Sequence, residues 1–223
     1  IIIDTFFNVD VIVASWPLLM SGLVYTLLLT AASVPISAAS GLLLATFSEA
    51  PSRAVRFCVI LYVDVFRAIP PLILLIFIFY ALPLVGVDLP QFVSAVLAIG
   101  LNTSAYYAEI FRAGLESVPP GQREAGRSTG LSWGQVMRYI VYPPAVRNVL
   151  PDLLSNTVEL FKLTSIASAV AMLDLLRAAQ VAQGMTFNPS PLMAAAAIYV
   201  AIAWPFIRIV SHMQRRELPK SAR

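Results

Sequence analysis

The sequence predicts an all-α integral membrane protein with about five transmembrane helices, its N-terminus outside and its C-terminus cytoplasmic. Three observations lead there: few charges in an apolar chain, apolar runs of spanning length, and basic residues gathered on one side of those runs. Of 223 residues, 59% are hydrophobic and 12% charged, and the mean hydropathy is +0.81. A soluble domain carries about a quarter of its residues as charges. This chain lacks that polar shell, so a bilayer is its natural solvent.

The runs follow in order. The first extends from about Trp16 to Phe47, interrupted by Pro35, and stops in the polar stretch Ser48 to Arg53. The second covers about Arg56 to Leu82 and is broken by Pro70 and Pro71. A third covers about Pro90 to Phe111, a fourth Leu150 to Leu176, and a fifth Leu192 to Val210. Roughly 20 apolar residues cross the hydrocarbon layer, and backbone groups in lipid must bond within their own segment, so each run is read as a helix. The whole chain, 1–223, then forms a single transmembrane domain with a polar segment at about 112–144. It opens at Ile1 without a methionine, which fits a longer natural N-terminus, and no signal peptide is inferred.

Charge orients these helices. Arg53, Arg56, Arg112, Arg123, Arg127, Arg138, Arg147, Arg208, Arg215, Arg216, Lys220 and Arg223 fall together if the first loop, the 112–147 segment and the tail share a side. Only Arg67, Lys162 and Arg177 lie elsewhere, and Asp4, Asp10 and Asp88 mark the opposite face. The positive-inside rule makes the basic side cytoplasmic. The pI near 9.2 therefore reflects topology, and no nucleic-acid partner is expected. A lone Cys58 and a lone His212, the latter beside Arg215 and Arg216, leave no disulfide framework and no metal site.

The segment from Pro119 to Pro144 is long and polar without being low in complexity. Pro119 and Pro120 end the preceding helix, and residues Gln122 to Thr129 predict a short helix with Glu124 in its first turn and Gly130 as its cap. Trp133, Val136, Met137 and Ile140 recur at helical spacing, as in an amphipathic stretch at a membrane surface. No Gly-x-x-x-x-Gly-Lys-[Ser/Thr] phosphate loop occurs in the chain.

Glu124-Ala125-Gly126, then Gly130, then Ile140-Val141-Tyr142-Pro143 resembles the EAA loop of ABC-importer permeases, with Gly126 at a usual Ala and Tyr142 at a usual Leu. Phe66-Arg67-Ala68-Ile69-Pro70-Pro71-Leu72, Ala105 to Gly114 and Glu159 to Ile166 are similar to conserved blocks of the polar amino-acid and opine branch. Ala68-Ile69 stands for Gly-Thr there, and Leu163 for Asp, which makes the midplane more apolar.

The resemblance implies a type I ABC-importer permease fold and a transport subunit that is not itself an enzyme. Gly121, Glu124, Ala125, Gly126, Gly130 and Pro143 would form the coupling element that docks on a separate ATPase, with Arg123 and Arg127 exposed beside Glu124. This chain would need no cofactor, the partner ATPase binding ATP and Mg. The implied assembly is a second permease subunit, two ATP-binding cassette subunits and an extracytoplasmic solute-binding protein, in a bacterial inner membrane.

The expected substrate site draws on polar residues at depth. Asp64 with Arg67, and Glu159 with Lys162, are opposite charges three residues apart on one helix face. Pro70 and Pro71 free backbone carbonyls just after Arg67, a break tolerated where it lines a cavity. Arg67, Glu159 and the Asn102 amide would complement a zwitterion, with Thr164 and Ser165 as further contacts. The same charge pairs also serve if they only neutralise one another. Glu109 with Arg112 reads as a gate or structural link, and Asp174 with Arg177 as an outer-face pair meeting the binding protein. An ion-gradient-driven secondary transporter is the alternative, disfavoured because no internal repeat is visible and the coupling segment would go unexplained. An intramembrane protease lacks a serine–histidine or paired aspartate site at depth.

Overall fold

In the computed structural model, which describes residues 5–217 and side chains through 214, every regular element is helical. Asp4, Lys220 and Arg223, counted in the charge argument, lie outside the described residues.

Helix α1, Val9–Ser48, is one continuous helix of 40 residues, with Pro17 and Pro35 inside it. The expected interruption at Pro35 does not occur. At 1.5 Å per residue α1 is about 60 Å long, twice the hydrocarbon thickness of roughly 30 Å. Its buried face reads Ser15, Leu19, Gly22, Thr26, Leu29, Ser33, Ser37, Gly41 and Ala45. These positions recur every three or four residues and most are small, the pattern that lets helices approach closely in lipid. A Cβ on Gly41 would lie 2.5 Å from Tyr107 Cβ and 2.9 Å from Ala108 N, and one on Gly22 would lie 2.6 Å from Ala178 Cβ.

Helix α2, Arg53–Ala68, ends at the proline pair, and α3, Pro71–Ile76, runs on through a π-helical turn and a 3-10 turn to Val85. The two halves meet at 97°. The second run is therefore a sharply bent pair rather than one straight span, because neither Pro70 nor Pro71 has an N–H to continue the ladder. Helix α4, Gln91–Glu116, agrees with the third run and is the most enclosed helix, with Ser94, Asn102, Thr103 and Ser104 buried alongside Ala95, Ile99 and Tyr107. Its most extensive partner is α1.

After α4 come α5, Pro120–Ser128, and α6, Trp133–Val136, followed by a π turn and α7, Tyr142–Asn148. The fourth run departs most from expectation. Helix α8, Leu150–Leu163, gives way to a 3-10 segment, Thr164–Val170, which ends at Ala171 with φ 58°. A separate helix α9, Leu175–Thr186, follows, capped by Asp174, whose side chain accepts from the Arg177 backbone N–H at 2.9 Å. Asp174 is thus a buried helix cap where an outer-face ion pair had been expected. Helix α10, Ser190–Glu217, agrees with the fifth run.

By length and composition, two described helices, Val9–Ser48 and Ser190–Gln214, suffice to cross a membrane, or three if the bent pair counts as one span. Helix α4 falls outside that set because its polar side chains face other helices and need no lipid compatibility. The main core joins Leu29, Leu75, Ile99, Leu115, Val141 and Leu160 from α1, α3, α4, the π turn before α7, and α8.

Candidate functional site

A cavity of about 340 Å³ opens where the α2–α3 break meets α4 and α8. Its polar lining is Asn102, Thr103, Tyr106, Asn156 and Glu159, and its apolar lining Pro71, Leu160 and Leu163. Helical spacing sets the arrangement. Asn102 and Tyr106 are one turn apart on α4, and Asn156 and Glu159 one turn apart on α8, so each helix turns two polar groups toward the same space.

The break itself is held by Asn102. Pro70 cannot donate to the carbonyl of Phe66, the bond an uninterrupted helix would make. Asn102 Nδ2 supplies a donor instead, at 2.7 Å from Phe66 O and 3.3 Å from Ile69 O. Both amide hydrogens are thereby turned to the backbone, and the amide oxygen is what Asn102 has left to present.

Of the expected substrate residues, the fold brings Asn102 and Glu159 to one cavity. Glu159 is exposed and accepts from Lys162 Nζ at 2.6 Å, as the spacing predicts. Arg67 lies beside the cavity without lining it: its guanidinium stands 5.3 Å from the Tyr106 ring centroid and 3.6 Å from Glu109 Oε2. The partner read from the sequence was Asp64, but the ion pair forms with Glu109 on α4. Glu109 in turn binds Arg112 at 2.9 Å, and Arg112 binds Glu116 at 2.6 Å, a ladder joining the end of α2 to α4. Thr164 and Ser165 do not line the cavity. Their hydroxyls donate to Phe161 O at 2.7 Å and Lys162 O at 2.9 Å, closing the turn at the end of α8. Tyr106 and Asn156, not among the expected substrate residues, lie one turn from Asn102 and Glu159, a spacing that carried the signal; Thr103, adjacent to Asn102, had no such signal.

A second constellation is the α5–α7 segment. Helix α5 begins at Pro120, earlier than Gln122, because a proline is pre-set for the first helical position. Glu124 is consequently past the first turn. Gly130 caps the helix in the left-handed region, φ 85°, and donates to Arg127 O at 3.0 Å. Gly121, Glu124 and Ala125 are exposed, and a Cβ on Gly121 would meet nothing within 4 Å. Gly126 is buried, its Cα facing Ile140 Cδ1 and Val136 so closely that an added Cβ would collide with the former. Ile140 Cδ1 is the movable end of a side chain, so the packing here leaves room for the alanine of the resembling loops once that methyl shifts.

Arg123 is not exposed as expected. It pairs with Glu49, the cap of α1, and donates to Leu115 O at 2.7 Å, pinning α5 to the ends of α1 and α4. Tyr142, at the usual leucine position, has its hydroxyl 2.8 Å from Thr46 Oγ1, a further tie to α1. Pro143 sits in the first turn of α7. Val136 and Met137 are buried in protein, while Trp133 is exposed, so the stretch from 133 to 140 is anchored in the core and does not simply float at a surface.

Residues 38–218 match the family described as binding-protein-dependent transport system inner membrane component. The L-cystine transport system permease protein TcyB of Bacillus subtilis is 34% identical over 207 residues, covering 92% of this chain and 88% of that protein. The arginine transport system permease protein ArtQ of the same organism is 31% identical, with 83% and 86% covered. The crystal structure of an amino acid ABC transporter with histidines superposes with a TM-score of 0.82 at 36% identity, covering 92% of this chain and 96% of that one. The MetNI methionine ABC transporter in an inward-facing form shares the fold, with a TM-score of 0.71 at 20% identity. The helical architecture, the polar cavity at a proline break and the capped segment after α4 thus have one common setting: the chain belongs to the binding-protein-dependent transport system inner membrane component family, and is a membrane-embedded permease subunit of the ABC-importer type rather than an enzyme.

Proposed function

We propose that this chain forms the translocation pathway for polar amino acids or their derivatives in a binding-protein-dependent ABC importer. The observation that carries the reading is the cavity at the α2–α3 break, where Asn102, Tyr106, Asn156 and Glu159 converge among otherwise apolar helices. Polar and ionisable groups at depth are costly unless they are paired or functional. Amino-acid permeases are the relatives that share most of this chain's length.

In this reading the chain crosses a bacterial inner membrane about five times, with its N-terminus outside and C-terminus inside, so that α5 faces the cytoplasm. Gly121, Glu124, Ala125, Gly126, Gly130 and Pro143 then build the element on which a partner ATPase docks. That partner binds ATP and Mg, and its two copies act on two permease subunits, either copies of this chain or a related one. A solute-binding protein delivers substrate to the outer mouth. The pinned geometry of Arg123 on Glu49 fits such a role, since a coupling element has to move as a unit with the helices it drives.

Purification of the tagged chain from its native membrane in mild detergent tests the reading. Recovery of a Walker-motif ATPase, lost when Glu124→Arg is introduced, supports it. A chain that purifies alone and drives uptake alone in liposomes overturns it in favour of a gradient-driven carrier.

A further inference from the structure

We infer that an apolar crevice bounded by α1, α8 and α10 is a lipid site, which takes one acyl chain of a bilayer phospholipid and braces the back of α8. The crevice has a volume of about 200 Å³. Val158, Phe161 and Ala203 at its floor are buried, whereas Leu27 and Phe206 at its rim are 44% and 54% exposed, so it opens away from the protein. In their N-terminal halves α1 and α10 share one apolar cluster through Leu19 and Ala195. Farther along, the Tyr199 ring still packs on Phe161, with centroids 5.5 Å apart. One turn later Ala203 offers only a methyl, and the space opens there.

The lining has no proton to offer a polar ligand. Thr30 donates to Thr26 O and Thr157 to Leu153 O, each at 2.8 Å, so both hydroxyl protons stay within their own helices. The Thr157 oxygen is further occupied by the Tyr107 phenol at 2.7 Å. Every other lining side chain is hydrocarbon. A cavity of roughly 150 Å³ with walls of this kind stays dry and takes up benzene. Water entering it forfeits hydrogen bonds, and leaving it empty forfeits dispersion contacts along its walls.

Depth names the occupant. Helix α1 carries no Asp, Glu, Lys or Arg from Val11 to Ser48, and α10 carries none from Ser190 to Ile207. Leu27 and Ala203 lie well inside these charge-free stretches, on the two described helices that suffice by themselves to cross a membrane. Leu28 and Val200 beside the crevice are apolar and exposed, so its mouth is continuous with a lipid-facing surface. Acyl chains are the solvent at that depth, and they match these walls in polarity. Helical spacing sets Asn156 and Glu159 on the opposite face of α8 from Val158 and Phe161. One helix therefore stands between the acyl chain and the polar cavity, and a filled crevice backs the wall that carries Asn156 and Glu159.

Photolabelling tests the site, with the protein extracted alongside its native partners and reconstituted into vesicles of phosphatidylethanolamine and phosphatidylglycerol. A small fraction of the phosphatidylethanolamine carries a diazirine in the middle of one acyl chain. Label is expected on α8, at Leu154, Val158 or Phe161, as well as on the exposed Leu28 and Val200. Ala203→Phe fills the floor and is expected to cut the α8 label severalfold while leaving that on Leu28 and Val200 unchanged. Ala203→Leu is the milder filling should the phenylalanine prevent folding. Label confined to α1 and α10 in the wild-type protein overturns the site. So does undiminished α8 label in a folded filled variant. An oxidative cross-link between two copies carrying Val158→Cys in a Cys58→Ser background overturns it in favour of a second copy as the occupant. The label does not depend on transport, so each of these results leaves the amino-acid reading untouched.

Discussion

Asn102 of α4 restores the hydrogen bond that Pro70 removes from α2, its Nδ2 lying 2.7 Å from the carbonyl oxygen of Phe66. A side chain 36 residues away in sequence thus completes a backbone ladder, and the same amide forms part of the cavity. The break and the cavity are one construction: the prolines open the helix, and the residue that closes the deficit also lines the cavity.

Replacing Asn102 with alanine leaves the Phe66 and Ile69 carbonyls without this donor. The expected cost is about 1–3 kcal/mol, the usual penalty for a buried polar group deprived of its partner. Thermal unfolding of the purified chain in detergent should show the loss. Unchanged stability would mean that water or a neighbouring group takes over both carbonyls.

The pair between Arg123 and Glu49 holds α5 against the end of α1, and both side chains are mostly enclosed. Arg123→Ala is expected to loosen the 112–148 segment, raising its protease sensitivity severalfold and lowering uptake. The exchanged pair, Glu49→Arg with Arg123→Glu, should recover part of the loss. Full recovery is not expected, because the bond from Arg123 to Leu115 O cannot be rebuilt by a glutamate. Wild-type protease resistance in Arg123→Ala would show that the contact does not position the segment.

Gly126 tests how tightly α5 is seated. A methyl there meets Ile140 Cδ1, the mobile end of a side chain, so Gly126→Ala should cost about 1 kcal/mol in strain and regain a similar amount from helix propensity, about 1 kcal/mol. Gly126→Val adds bulk against both Ile140 and Val136 and should destabilise by about 1–3 kcal/mol. Chemical denaturation of the three proteins in one detergent compares them. A valine variant as stable as wild type would place Gly126 further from Ile140 than this packing implies.

Gly41 has no such latitude. A Cβ there meets Tyr107 Cβ and the Ala108 backbone N, and backbone cannot swing aside. Gly41→Ala is expected to push α1 from α4 and to destabilise by about 1–3 kcal/mol, seen as a lower unfolding temperature and a smaller monodisperse fraction on size exclusion. A neutral result would argue against close α1–α4 contact at this level.

Much of the fold was legible because it depends on neighbours along the chain. The proline pair announced the break after Ala68, and Gly130 announced the end of α5, since a left-handed cap favours glycine. The fourth run misled because Thr164 to Val170 contains neither proline nor glycine and is apolar enough to read as continuing helix. Asp174 was the available sign of a new helix start, but it was read as half of an ion pair. The short-range Glu159–Lys162 pair came out as expected, whereas Arg67 chose Glu109 over Asp64 because α4 lies against the end of α2.

Composition and local pattern determined that this chain enters a membrane, that its backbone is helical, and that Pro70–Pro71 and Gly130 end helices, though not that α1 runs on through Pro35. Hydropathy and backbone propensity act on each segment by itself, so a one-dimensional reading suffices for them. Tertiary structure alone decided that Asn102 would close the α2 break, that Arg123 would be pinned to Glu49, and that Asn156 and Tyr106 would join Glu159 around one cavity. Those outcomes depend on which helix faces come together, and small residues such as Gly41 set that by how closely they let the helices approach.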